Sequence, residues 1–243
     1  GRVFQPRLAI NADPGRFAQA LAALPAGDAP WRDWTRAARA DYLAHSAAPA
    51  APAPGPAGFV DMTRVIAHLD EVLPEDAILT NGAGNYAVWL HRFHRYRRRG
   101  TQLAPTSGAM GYGLPAAIAA KLRHPARTVV CFAGDGCFMM YPQELATAMQ
   151  HGAAVIVLVV DNGMLGTIRM HQEREYPGRV SATALRNPDF VKLAESFGAH
   201  AERVGRSEDF PAAFERARAA GRPALLSLRT DPAQLSPTTR LGA

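Results

Sequence analysis

The chain has 243 residues, a length for one or two domains. With 48% apolar and 20% charged residues it has the composition of a packed globular protein. No run approaches the roughly eighteen apolar residues of a spanning helix, and no N-terminal apolar stretch leads to a small-residue cleavage site, so the expectation is a cytoplasmic chain with no membrane partner.

The chain opens Gly1-Arg2-Val3 without an initiator Met, which marks a processed chain or a cut piece. "LAINADPGRFAQALAAL", Leu8 to Leu24, reads as a strand end, then Asp13 as a helix N-cap, Pro14 at the first helical position, and a helix. A second helix is predicted from about Trp31 to Leu43. One strand and two helices bury little apolar surface, so residues 1–45 read as the C-terminal remnant of another domain. "SAAPAAPAPGPAG", Ser46 to Gly58, alternates Ala and Pro and reads as an extended, semi-rigid linker.

Residues 59–243 then alternate regularly. Predicted helices are Val60–Leu73, Tyr86–Phe93, Leu114–Leu122, Pro142–Gln150, Pro188–Phe197 and Phe210–Ala220. Predicted strands are Ala77–Thr80, Thr101–Ala104, Thr128–Ala133, Ala154–Val160, Ala201–Val204 and Ala224–Leu228. The alternation argues for an α/β fold, an open and mainly six-stranded parallel sheet with helices on both faces. The strands are continuous apolar runs, as strands covered on both faces are.

The net charge of +6 is concentrated in "HRFHRYRRRG", His91 to Gly100, which carries five arginines. A polyanion site is one reading. A solvated helix end is the other, and it is favoured because Phe93 and Tyr96 are spaced to face inward rather than to stack on bases. Two cysteines, Cys131 and Cys137, fit no zinc or redox spacing and read as reduced thiols beside a buried strand.

The chemistry is concentrated in "VVCFAGDGCFMMYPQELATAMQHGAAVIVLVVDNGMLG", Val129 to Gly166. Two apolar strands end in Gly134-Asp135-Gly136 and in Asp161-Asn162-Gly163, with a helix between them. A crossover of this length joins parallel strands, so Asp135 and Asn162 fall on the same edge of the sheet, where open α/β sheets bind ligands. One carboxylate with neutral oxygens suits Mg²⁺, which leaves places for water and phosphates. Gly134 and Gly136 allow close backbone approach, and the N–H groups after Asp135 and of Met164 to Gly166 are candidates for an anion-binding concavity. Taken singly, the two motifs are ordinary tight turns. Together they favour a metal–diphosphate site.

These motifs resemble those of thiamine diphosphate-dependent enzymes: GDG, about two dozen residues, then an Asn pair. The similarity is to the C-terminal, diphosphate-binding domain of the acetolactate synthase (acetohydroxyacid synthase) group. It extends to "PTSGAMGYGLPAAIAAKL" (Pro105 to Leu122), "ILTNGAGNYAVWLHRF" (Ile78 to Phe93), "NPDFVKLAESFGA" (Asn187 to Ala199) and the closing "LSPTTRL". Residues before the linker are similar to the end of that group's middle domain. The resemblance implies thiamine diphosphate and Mg²⁺ as cofactors. Asp135 and Asn162 would be side-chain metal ligands, and the Met164 carbonyl the third. Gly136, Cys137, Leu165 and Gly166 would offer backbone N–H groups to the diphosphate, and Asn85 and Tyr86 would stand near it. Met110 would wedge under the cofactor and bend it, and the Gly108 carbonyl would accept a hydrogen bond from its amino group.

The implied activity is decarboxylation of a 2-oxo acid such as pyruvate, followed by carboligation to a product such as 2-acetolactate, a transferase step of branched-chain amino acid biosynthesis. The chain departs from the group in three places. Asp161-Asn162 replaces the Asn pair, Asn85-Tyr86 replaces Gln-His, and His171 stands where a Trp shapes the acceptor pocket. His171 reads equally as a contact to a polar or acidic substrate and as the cap of a surface helix. The Glu that activates the cofactor belongs to a pyrimidine-binding domain with no counterpart here. The chain therefore reads as the C-terminal part of a longer enzyme, with no catalytic residue of its own and inert alone. The missing pyrimidine-binding and middle domains are its expected partners, the latter a place for FAD in the full-length enzyme, in a homodimer or homotetramer.

Two rivals remain. Gly82-x-Gly84-x-x-Ala87 formally matches a dinucleotide fingerprint of an NAD(P)-dependent dehydrogenase, but no acidic residue lies between Asp76 and Asp135 to hold a ribose. A non-catalytic polyanion-binding module would rest on the Arg run alone and would show a steep salt dependence with DNA.

Overall fold

Apolar residues at helical spacing and strands with no polar face produce the main body of the protein. In the computed structural model, which describes residues 1–25, 27–48 and 58–242, contacts divide the chain into two units, Gly1–His45 and Ser46–Ala243. The first unit contains α1 (Pro14–Ala22), capped by the Asp13 carboxylate, which accepts from the Arg16 N–H at 3.0 Å. It also contains most of α2 (Arg32–Ser46). No residue of α1 is buried. The predicted strand end at Leu8–Ile10 does not form; those residues are irregular and exposed. With no neighbouring strand to take up its N–H and C=O groups, an isolated β segment has no ladder. Nine residues of the predicted linker, 49–57, lie outside the described residues.

The second unit begins with α3 (Met62–Val72), where Asp61 caps the helix by accepting from the Thr63 N–H at 2.8 Å. Met62, Val65, Ile66 and Leu69 recur at helical spacing and are the buried stripe. Then follow β1 (Ile78–Asn81), α4 (Tyr86–Phe93), β2 (Gln102–Leu103), α5 (Gly113–Arg123) and β3 (Val129–Gly134). A single-turn helix, α6 (Asp135–Phe138), and α7 (Glu144–Gln150) lead to β4 (Ile156–Asp161). After these come α8 (Gly166–Glu175), α9 (Phe190–Ser196), β5 (His200–Val204), α10 (Phe210–Ala219) and β6 (Ala224–Arg229), and a hairpin of β7 (Gln234–Ser236) and β8 (Thr239–Arg240) closes the chain.

The six-stranded sheet has the order β2-β1-β3-β4-β6-β5, and every pairing is parallel. Strand residues alternate between two cores. Phe132, Leu158 and Leu226 meet α3, α4 and α10 on one face. Cys131, Val157 and Leu225 meet α5, α7 and α9 on the other. This is the predicted doubly covered sheet, and it explains why all residues of β3 are buried.

Three local differences from the sequence reading have physical causes. The helix predicted from Pro142 starts at Glu144, because residues 141–143 form a turn first. Helix α8 was not among the predicted helices, a surface helix being only one of two readings of His171: "GTIRMHQERE" has no apolar face and none of its residues is buried. The β7–β8 hairpin is too short and too polar to carry a period. In the Arg run, Phe93 is buried and Tyr96 packs on the core, while Arg97 pairs with Asp70 at 3.0 Å. Among the described residues no helix is long and apolar enough to cross a membrane.

Candidate functional site

The strand order reverses at β1: the next strand in sequence, β2, lies on one side of it and β3 on the other. Loops leaving β1 and β3 therefore part and leave a crevice at the carboxyl edge of the sheet. Register sets the height of the residues there. Gly134 pairs with Val160 and Asp161 with Arg229. Asp135 and Asp161 thus stand side by side, one step past the Gly134–Val160 pair.

A cavity of about 560 Å³ opens at this edge. It is lined by all twelve residues assigned from the sequence to the cofactor and its metal: Asn85, Tyr86, Gly108, Met110, Gly134, Gly136, Cys137, Leu165 and Gly166, together with Asp135, Asn162 and Met164. His171 does not line it and lies on the exposed side of α8. Sequence reasoning missed the opposite wall, formed by Trp89, residues next to the α3 N-terminus, and the β7–β8 hairpin with Arg240. It also missed Asn187.

Asp135 is the buried charge of the site, 3% exposed. Its Oδ1 accepts from the Gly136 N–H at 2.9 Å, and its Oδ2 from the Gly163 N–H at 2.8 Å and the Asn187 amide at 2.8 Å. Burial pushes its carboxyl up to about 6, against the pull of the Asn187 amide and the Gly136 N–H; the neighbouring Asp161 charge adds to the rise and the Gly163 N–H opposes it. The Asn162 side-chain oxygen accepts from the Met164 N–H at 3.1 Å, a side-chain turn that Gly163 permits with φ +69.

Several roles implied by the resemblance meet a different geometry. The Leu165 N–H donates to the Thr183 carbonyl at 2.8 Å and the Gly166 N–H to the Met164 carbonyl at 3.0 Å. The Gly136 N–H is taken by Asp135. The Leu165 amide is taken because residues 183–185 run antiparallel to the 163–165 loop, with Leu185 N–H donating back to the Gly163 carbonyl at 2.8 Å. Asn85 lines the cavity, but its side chain is occupied by α8: the Thr167 hydroxyl donates to its Oδ1 at 2.9 Å and its amide donates to the Met170 sulfur at 3.4 Å. The Tyr86 hydroxyl donates to the Cys137 sulfur at 3.2 Å, and burial raises its pKa far above the usual phenol range.

Gly134 has ordinary extended dihedrals, φ −69 and ψ 159. It must be Gly for a different reason than the one expected, since a Cβ there would lie 2.8 Å from the Tyr86 ring. The two cysteines are free and buried, as expected, and burial pushes the Cys131 thiol up to about 12.

A diphosphate-bearing cation site requires hard oxygen donors with unused capacity. Ionised Asp135 offers about four acceptor positions and uses three, and the Asn162 and Met164 oxygens each accept one bond and have a second lone pair. The residues present therefore fit Mg²⁺. Among the described residues no group of three or more His, Cys, Asp or Glu side chains is arranged to hold a metal, so a thiolate–imidazole cage of the zinc type is not what these residues build.

Fold and crevice together define an α/β cofactor-binding domain with its ligand site at the strand carboxyl edge. The chain belongs to the thiamine pyrophosphate enzymes: the family described as "Thiamine pyrophosphate enzyme, C-terminal TPP binding domain" matches residues 82–228. Among its relatives, a probable acetolactate synthase large subunit of Methanocaldococcus jannaschii is 36% identical over 185 residues, which is 75% of this chain and 31% of the relative. The acetolactate synthase isozyme 2 large subunit of Escherichia coli K12 is 33% identical over 180 residues, 73% of this chain and 32% of the relative. A solved structure of a thiamine diphosphate-dependent 4-hydroxybenzoylformate decarboxylase from Rhodococcus jostii RHA1 superposes with a TM-score of 0.69 at 30% identity, covering 74% of this chain and 34% of that one. The chain thus spans about a third of the length of these relatives.

Proposed function

We propose that this chain is the cofactor-diphosphate-binding part of a Mg²⁺- and thiamine diphosphate-dependent 2-oxo acid decarboxylase and carboligase of the acetolactate synthase kind. One observation carries the reading: twelve residues nominated from four separated motifs all line a single cavity at the carboxyl edge of the sheet. The dehydrogenase and polyanion alternatives have no comparable convergence.

When bound, thiamine diphosphate supplies the carbon nucleophile and electron sink that decarboxylation of a 2-oxo acid requires. The chain's own residues hold and shape. Asp135, Asn162 and the Met164 carbonyl bind the cation that anchors the diphosphate, and burial of Asp135 makes that cation the natural counter-charge. Met110, half-buried against the core on this wall, supports the cofactor from below, with the Gly108 carbonyl alongside as acceptor. Cys137 presents its backbone to the diphosphate. Gly136, Leu165 and Gly166 serve as close-approach walls, because their amides are already satisfied by the chain. Tyr86 and Trp89, both buried, line the cavity and exclude water from it.

The activating Glu belongs to a pyrimidine-binding domain outside this chain. Activity therefore requires that domain, a middle domain that is also the place for FAD, and a homodimer or homotetramer, in the cytoplasm. Pyruvate is the proposed donor, and the acceptor is unassigned because His171 is outside the cavity. The test is an assay of the full-length enzyme with a panel of 2-oxo acids, thiamine diphosphate and Mg²⁺. Consumption of pyruvate with release of CO₂ and formation of a 2-hydroxy-2-keto acid is expected, with no turnover by this chain alone. A full-length enzyme that turns over none of the 2-oxo acids overturns the reading.

A further inference from the structure

Asp161 looks at first like a defect, a second negative charge placed beside the Asp135 carboxylate. The structure resolves this through a residue from a different part of the chain. The side-chain amide of Asn187 donates to Asp135 Oδ2 at 2.8 Å and to Asp161 Oδ1 at 2.9 Å. Both partners are carboxylates, so only the NH₂ end of the side chain can face them, and its two protons go one to each. Asn187 is delivered by the strap that precedes it. Residues 183–185 are stitched to 163–165 by Leu165 N–H to Thr183 and Leu185 N–H to Gly163, both at 2.8 Å, and Thr183 is buried.

The geometry points to Asn187 as a positioning residue for the metal site, with Asp161 as its anchor. This rests on the reading of Asp135 as a Mg²⁺ ligand. The amide and the Gly163 N–H together hold Oδ2, while Oδ1 accepts the Gly136 N–H alone. Oδ1 is therefore the oxygen with capacity for a cation, and the clamp on Oδ2 fixes which way it faces. Without the clamp, a carboxylate beside a second carboxylate turns away from it. Asp161 also accepts the Gly163 N–H, at 3.3 Å, so one cluster ties the ends of β3 and β4 to the strap. Outer partners that orient a metal-binding carboxylate typically control metal affinity by about 10–100-fold.

The test titrates Mg²⁺, and separately Ca²⁺, into the chain with saturating thiamine diphosphate and reads binding by calorimetry, for wild type, Asn187→Ala and Asp161→Ala. Thermal melting of each variant establishes that it folds. Should Asn187→Ala fail to fold, Asp161→Ala keeps the amide while untying its far end and carries the test. Mg²⁺ affinity is expected to fall by about 10–100-fold in Asn187→Ala. The loss for Ca²⁺ is expected to be smaller, because Mg²⁺ demands near-octahedral ligands and Ca²⁺ tolerates irregular ones. Asp161→Ala should move in the same direction. Unchanged Mg²⁺ affinity in the folded variants, or equal losses for both ions, overturns the positioning role and leaves the cofactor reading intact. Wild-type binding indifferent to Mg²⁺ overturns both.

Discussion

At the scale of single residues, burial makes Asp135 a carboxyl that resists ionisation. Burial pushes its carboxyl up to about 6 in the folded chain, against the ordinary aspartate value of 3.8 in an unfolded one. A raised carboxyl means that the folded state binds the proton more tightly, so ionisation works against folding. The penalty is absent below 3.8, grows as pH rises through the window to about 6, and is complete above it. The chain is therefore expected to lose stability between about pH 4 and pH 6 by more than an Asp135→Ala variant does, as read by paired denaturation curves. Identical pH slopes would contradict the burial argument. Asp135 and Asn162 were legible in the sequence because their motifs recur at strand ends. Asn187 was not, because an Asn before a Pro ahead of a helix reads as a turn, and only the fold shows that the turn reaches back across the sheet edge.

At the scale of elements, the sheet was readable and the parts around the cavity mouth were not. Strand β3 and β4 up to Val160 are unbroken apolar runs, as strands covered on both faces are. Helix α3 shows its stripe as Val65, Ile66 and Leu69. Helix α8 shows no stripe, since none of its residues is buried, and its placement depends on polar contacts. Asn85 provides them: its N–H donates to the Thr167 hydroxyl at 3.0 Å, which donates back to its side-chain oxygen at 2.9 Å. Here the sequence suggested a diphosphate contact, and the structure supplies a latch. A helix with no buried face and few anchors opens locally at low free-energy cost. Asn85→Ala removes the side-chain hydrogen bond with Thr167 and the weaker one to the Met170 sulfur, and is expected to speed amide exchange across Gly166–Glu175 by about 2–10-fold or more, while the global unfolding midpoint stays put. Unchanged exchange rates would show that α8 is held by something else.

At the scale of the whole molecule, two units of unequal self-sufficiency share one chain. Ser46–Ala243 contains both hydrophobic cores, one on each face of the sheet. Gly1–His45 exposes Trp31 and Trp34, which are 62% and 73% accessible. The chain as a whole is about a third as long as its relatives. The Ala/Pro run of Ser46 to Gly58 begins where the two units divide, and its residues 49–57 lie outside the described residues. The opposite wall of the cavity, from Trp89 to the β7–β8 hairpin, escaped notice because distant segments meet there without a shared motif.

The central claim, that Asp135 and its neighbours hold a cation-anchored diphosphate, is tested most directly by calorimetric titration of thiamine diphosphate into the chain with Mg²⁺, with Mg²⁺ removed by chelation, and with Asp135→Ala. Binding that is measurable with Mg²⁺, lost on chelation and abolished by the substitution is the expected result. Binding that ignores both the metal and Asp135 would contradict it.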